Sequence, residues 1–329
     1  MRTIKKILVA IKRPGIGQAA TLRKAAQLAL GLGAELELFH ALTTPIFLGP
    51  VPGEQEDWRT TRDREQQRAT SRLQRSAERL RRSGAKVSVK AVWDYPGYAA
   101  LLRRAQQIDA GLIVAERHTG GHAAPWLLRY TDWELLRQSP VPVLLLKKSR
   151  PWRNPALLAG LDPFHEFAKP AKLDAEILTL GGVMAKALGG KLHAAHVYLA
   201  PAFRDGESAE ARALLESYQS RARDQAEAAL RRELKSAQMP PERLHVVPGQ
   251  PVTELPRLVR SLGADIVIMG AISRSGLKRL VVGNTAEAVF DELACDILVV
   301  KPSGFRTSIP QRVRGPAFVL PPDSAMPWV

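Results

Sequence analysis

The sequence predicts an α/β protein made of two tandem domains, each a doubly wound, mainly parallel sheet. Three observations predict it. Short, continuous apolar runs such as Lys6-Ile7-Leu8-Val9-Ala10-Ile11-Lys12 read as strands covered on both faces, the habit of parallel sheets. These runs alternate with amphipathic helical stretches, the order that winds helices over a parallel sheet. The whole pattern then occurs twice. Lys6–Lys12 matches Ala156–Asp162 at an offset of 150, and Leu36–Ala41 matches Leu192–Val197 at 156. Gly111–Ala115 matches Asp265–Gly270, and Pro142–Lys147 matches Asp296–Lys301, at 154 to 155. Collinear matches at nearly one spacing indicate an internal repeat.

Each element follows from local signals. Thr21–Leu32 reads as a helix with Ala25, Ala26, Leu28 and Leu30 inside it and Gly31 near its end. Its counterpart runs from Leu173 to Leu188 and stops at Gly189-Gly190. A long helix follows the second strand of each repeat. In the second repeat Leu214, Tyr218, Ala222, Ala226, Leu230 and Leu234 form an apolar stripe at helical spacing. In the first, Ala69, Leu73, Ala77 and Leu80 do the same, and the opposite face carries Arg64, Arg68, Arg72, Arg75, Arg79, Arg81 and Arg82. Third strands are expected at Val87–Val92 and Leu244–Val247. The resulting plan is a domain over 1–148, a Pro-containing linker over 149–155, a domain over 156–303 and a Pro-rich tail over 304–329. That tail lacks periodicity and reads as a mostly disordered segment or a strap across the surface.

Composition narrows the function classes. The 329 residues carry 45% hydrophobic and 24% charged side chains, ordinary for a globular protein. No apolar run approaches the roughly 20 residues that span a bilayer, and the first residues lead straight into a strand without a signal-peptide pattern. The lone Cys295 allows no internal disulfide and fits a reducing, cytoplasmic compartment. Net charge is +16, and residues 1–150 carry 26 Lys and Arg against 13 Asp and Glu, a net +13. Part of this excess lies on the Arg-rich helix 57–82, whose basic face is either a solvated face or a contact surface for nucleic acid or anionic lipid.

The chemistry-bearing motif follows the fourth strand of the second repeat. Gly270 ends that strand, Ser273, Arg274 and Gly276 form a small-residue loop, and Gly283, Asn284 and Thr285 open the next helix. Exposed amide donors and the positive end of a helix suit a phosphate. Arg274, Lys278 and Arg279 lie between them and add positive charge. In doubly wound sheets ligands bind at this carboxyl rim. Turn formation alone would also explain the glycines.

These residues resemble the nucleotide-binding signature of the universal stress protein family, Gly-x2-Gly-x9-Gly followed by Ser or Thr. The resemblance spans about residues 4–302, and Thr131–Arg137 and Cys295–Pro302 look like the tandem, two-domain members. It implies a Rossmann-like fold with five-stranded parallel sheets, packed as a pseudo-dimer through the last strands, Val143–Lys147 and Ile297–Lys301. It also implies a nucleotide site of Asp162, Val197, Gly270, Ser273, Arg274, Gly276, Gly283, Asn284 and Thr285, with ATP or a related nucleotide as ligand. Two departures weaken that site without abolishing it: Ser273 replaces the second glycine, and Asn284 directly follows the last. In the first repeat the pattern is lost. Ala115 is read in place of the first glycine, Thr131-Asp132-Trp133 replaces the small turn, and Lys12 stands where the aspartate would be. Lys12 either accepts an anion or points to solvent.

Other candidates carry less. Trp93, Tyr95, Tyr98, Trp126 and Trp133 either fill the lost pocket of the first repeat or line an apolar ligand site. His40 and His196 occupy matched strand positions, which argues for a shared structural role. His118 and His122 lack a third ligand, so no metal site is expected. A nucleotide hydrolase needs a placed base and usually a metal-binding acid. Asp162 alone is near the loop, so a stress-response binding module is favoured over an enzyme. Protein partners and a further homodimer are open expectations of that reading.

Overall fold

A computed structural model describes residues 3–47, 58–117, 125–164, 172–200, 208–235, 239–270 and 289–319. By contacts the chain divides into two compact units. One comprises Arg2–Gln138 together with the tail from Thr307, and the other Ser139–Arg306.

The first unit orders its parallel strands β4-β2-β1-β5, where β1 is Lys6–Ala10, β2 Glu35–Leu42, β4 Val87–Trp93 and β5 Leu112–Glu116. Ile7, Leu8 and Val9 are successive residues and all fully buried. Neighbouring side chains point to opposite faces, so both faces of this strand are covered. Helix α1, Ala19–Leu32, passes through Gly31 and is capped by Gly33 in the left-handed region at φ 64°. Helix α2, Trp58–Arg82, buries Ala69, Leu73, Ala77 and Leu80 as the stripe predicts. Helices α3, Gly97–Gln107, and α4, Pro125–Gln138, flank β5 in the chain.

The second unit orders its five parallel strands β9-β8-β7-β10-β11, the same topology: β7 is Ala156–Gly160, β8 Lys191–Tyr198, β9 Leu244–Pro248, β10 Ile266–Gly270 and β11 Asp296–Val300. Strand β6, Val143–Leu146, belongs by sequence to the first repeat but groups with this unit. It lies antiparallel to β11, with Leu144 opposite Leu298. Helix α5 covers Leu173–Leu188 and ends at Gly189 in the left-handed region. At Gly190 a Cβ would fall 2.3 Å from the Pro155 carbonyl oxygen, so no side chain fits there. Helix α6, Ala209–Glu233, departs from expectation. Ala226, Ala229 and Leu230 are buried, but Leu214 and Tyr218 are 59% and 54% exposed. Helical spacing puts residues on one face without saying how far the underlying sheet reaches. Helix α7, Pro251–Leu262, completes the unit.

The Pro-rich tail is a strap over the first unit as far as residue 319. Phe318–Val319, β12, pairs parallel with β3, Ile46–Phe47, and Ile309 is buried. Its backbone is held by a buried ion pair: Arg103 donates twice to Asp94 Oδ2, at 2.8 and 2.6 Å, and once to the Pro310 carbonyl at 3.2 Å. Asp94 Oδ1 accepts from the Arg314 amide at 3.0 Å.

Cys295 is fully buried, and burial pushes its thiol up to about 11. The thiolate is the reactive form. Iodoacetamide at neutral pH is therefore expected to leave the native chain unmodified and to alkylate it once urea unfolds it. Prompt modification of the native chain, read by mass spectrometry, would contradict this packing.

Candidate functional site

The carboxyl ends of β7 and β8 bring two polar side chains to one rim. Strands β7 and β8 run parallel with Gly160 opposite Ala195, so the chain leaving β7 through Leu161 and Asp162 passes beside His196 and Val197 of β8. His196 is 2% exposed, and its Nδ1 lies 3.2 Å from the Leu161 carbonyl oxygen. A carbonyl only accepts, so this contact places a proton on Nδ1, and in the neutral ring Nε2 is then a lone-pair acceptor. That Nε2 is buried with no hydrogen-bond partner. Asp162 Oδ2 is likewise buried and unpartnered. Orphaned buried polar atoms are costly, about 1–3 kcal/mol each, and mark places where a missing partner belongs. Both atoms accept, so the fitting partner donates, as hydroxyl or amino groups do.

Asp174, fully buried in the first turn of α5, holds this loop: its Oδ2 accepts the Asp162 amide at 3.1 Å. Asp174 lies outside the glycine-rich motif, although an acid in a helix's first turn is a recognisable signal in a sequence. The aromatic ring of Phe164, 41% exposed, stands 5.5 Å from the His196 ring and walls the same rim.

The remaining expected residues divide. Val197 is half-buried on β8, in register with Val247 of β9. Gly270 ends β10, where a Cβ would lie 2.5 Å from Leu173 Cδ2. Close packing of α5 thus accounts for that glycine. Ser273, Arg274, Gly276, Gly283, Asn284 and Thr285 lie outside the described residues, as do Lys278 and Arg279, and His118 and His122 of the first repeat.

The first unit shows what has replaced this rim. Strand registers align Leu112 with Ile266, since Ile7 opposes Leu112 and Leu157 opposes Ile266. Glu116, and not Ala115, therefore holds the position of Gly270. Its carboxylate accepts from Thr21 Oγ1 at 3.3 Å. Lys12, in the place of Asp162, turns to Asp132, 3.3 Å away, instead of to solvent. Gln18 takes the role of Asp174: with its amide turned to suit the network, its oxygen accepts from the Lys12 and Arg13 amides, both at 3.2 Å. His40 repeats the His196 contact, with Nδ1 2.7 Å from the Ile11 carbonyl, and burial lowers its pKa against that bond. The loop architecture is conserved between repeats while the charges are exchanged. A phosphate arriving here meets carboxylates. Of the aromatic side chains, Trp93 is buried and donates to the Arg62 carbonyl at 3.0 Å, and Tyr95 is half exposed.

Among the described residues no cluster of three or more His, Cys, Asp or Glu is placed to hold a metal. Nor is any described helix long and apolar enough to cross a membrane.

Comparison with known proteins agrees with the repeat. Universal stress protein E of Salmonella typhi is 29% identical over 253 residues, 73% of this chain and 76% of that protein. The same-named protein of Photorhabdus laumondii subsp. laumondii is 24% identical over 316 residues, 94% and 98% of the two chains. A solved structure of a functionally unknown protein from Pseudomonas aeruginosa PAO1 superposes with a TM-score of 0.68 at 26% identity, covering 91% of this chain and 93% of its own. A universal stress protein from Archaeoglobus fulgidus DSM 4304 shares the fold, with a TM-score of 0.56 at 17% identity and coverage of 92% and 97%. The model of the universal stress protein family matches residues 3–147 and again 173–301. With both repeats matched, the chain belongs to the universal stress protein family, in a tandem two-domain form.

Proposed function

We propose that the chain is a cytoplasmic stress-response binding module whose second repeat takes ATP or a related nucleotide. One observation carries this reading: two orphan polar atoms, Asp162 Oδ2 and His196 Nε2, lie at the carboxyl ends of β7 and β8. A nucleoside supplies the donors they lack through its ribose hydroxyls and exocyclic amine. The loop beyond Gly270 offers, by sequence, the small residues and cations a phosphate chain needs. No general base or metal-binding acid is assigned, so the nucleotide acts by being held, and its presence selects protein partners.

The test is equilibrium binding of ATP to the purified full chain, with mass spectrometry of small molecules that co-purify. Asp162→Ala removes one charged acceptor and is expected to weaken binding about tenfold, the equivalent of roughly 1.4 kcal/mol. Gly283→Glu puts a carboxylate where the phosphates are expected and should abolish binding. A native chain with no affinity for ATP at millimolar concentration, or one indifferent to both changes, would sink the reading.

A further inference from the structure

The arginine face of α2 is more than a solvated surface. Arg72, Arg75 and Arg79, all exposed, face the loop after β1 and with Pro14, Gly15 and Ile16 line a hollow of about 280 Å³. A second hollow of about 440 Å³ lies along the same helix between Arg64, Gln67, Arg68, Ser71, Arg72 and Arg75. The two share Arg72 and Arg75, so they form one trough. From Arg64 to Arg79 it follows 15 residues of helix, roughly 22 Å at about 1.5 Å each.

The stretch of the trough from Arg72 to Arg79 is cationic and lacks acidic partners among the described residues. Among the described residues no carboxylate lines either hollow. Among the described residues Arg72 and Arg75 have no acidic partner, and Arg79 touches only Ser76 Oγ, at 3.2 Å. Of the acids of α2, Asp63 pairs with Arg62, Glu65 pairs with Arg68 at the Arg64 end of the trough, and Glu78 is not among the residues that line either hollow. Like charges three and four residues apart destabilise a helix by a few tenths of a kcal/mol per pair. A row of such pairs opposes folding slightly unless an anion lies between them. Guanidinium groups bind phosphate through two parallel donors.

We infer that this trough binds a nucleic-acid strand by its phosphates, without reading sequence. A line of guanidiniums along one helix face matches the linear run of phosphates in a single strand, and a parallel titration with anionic vesicles sets it against a bilayer. Its lining decides against base recognition. Among the described residues no aromatic ring lines the hollows, and Trp58 is engaged by Phe318 at 5.2 Å and by the Arg59 and Arg62 guanidiniums. The site lies in the first repeat and stands or falls separately from the nucleotide site.

The experiment is fluorescence anisotropy of a labelled oligothymidylate with the full chain over a salt series. Three phosphate contacts predict a log–log salt slope near about −2, at about 0.7 per contact for a single strand. The triple variant Arg72→Gln, Arg75→Gln, Arg79→Gln is expected to bind at least about tenfold more weakly, with a flatter slope. A second triple, Arg212→Gln, Arg221→Gln, Arg223→Gln, removes the same charge from exposed positions of α6 and is expected to retain affinity. Equal losses in the two triples would reduce the effect to net charge and overturn the inference. It is equally overturned if the native chain ignores the oligonucleotide at low salt, or binds only inorganic polyphosphate or anionic vesicles in parallel titrations.

Discussion

Replacing Asp94 with alanine is expected to destabilise the first unit by about 3–5 kcal/mol and to free the tail. Asp94 and Arg103 are each 2% exposed, and both Arg103 contacts to Asp94 Oδ2 are within 2.8 Å. Removing the carboxylate leaves a guanidinium buried with no opposite charge, which costs more than the pair itself contributes. For a domain of this size each kcal/mol lowers Tm by about 2–4 °C, so calorimetry resolves the change easily. Two effects are joined in that variant, and a double substitution separates them. Asp94→Leu with Arg103→Met replaces the pair by apolar groups of comparable bulk. Such swaps are often neutral, so much of the lost stability should return. The strap should still come loose, because the Pro310 carbonyl and the Arg314 amide have both lost their partners. Trypsin cutting after Arg312 and Arg314, followed over time, reads the strap independently of Tm. If the double variant keeps the native cleavage rate, the ion pair does not hold the tail.

The sequence made some of this legible and hid the rest for physical reasons. Parallel strands such as β1 and β11 are visible because burial on both faces leaves unbroken apolar runs. The same property hides register. With no polar–apolar alternation to pin it, Gly270 was aligned with Ala115, one residue short of Glu116, and the strand pairs were needed to correct it. The end of helix α5 is readable because Gly189 supplies a backbone conformation that side-chain-bearing residues resist. The strap was undecidable. Its anchors, Asp94 and Arg103, lie about 200 residues earlier in the chain, and a Pro-rich stretch gives no periodic sign of what it packs on. Within the candidate site, Asp162 stood out as an acid directly after an apolar strand. Its matched position with His40 points to a structural role for His196, which the Nδ1 contact supports, but the burial of an unanswered Nε2 has no sign in the sequence.

The second large effect is expected at Asp296, which ties the linker to the second unit. Asp296 is fully buried at the start of β11. Its Oδ1 accepts from the Lys147 and Lys148 amides at 2.8 and 3.1 Å, and its Oδ2 accepts from Trp152 Nε1 at 2.9 Å. The Lys147 ammonium reaches back to the Phe290 and Leu293 carbonyls, closing the helical turn at 289–292. Asp296→Ala would strip the acceptor from three donors at once. An unsatisfied buried donor costs about 1–3 kcal/mol, so a total loss of about 3 kcal/mol or more is expected from urea unfolding. Asp296→Asn keeps one carbonyl oxygen and turns an amide group toward a second donor, which places it between alanine and the native residue. Trp152→Phe retains most of the buried ring and loses a single hydrogen bond, about 1 kcal/mol. The order of the three variants is the informative quantity. A linker merely draped over the unit would make Asp296→Ala no worse than Trp152→Phe. One fastened by the carboxylate makes it several-fold worse in energy, with the Lys147–Trp152 segment becoming accessible to protease before the strands of the sheet open.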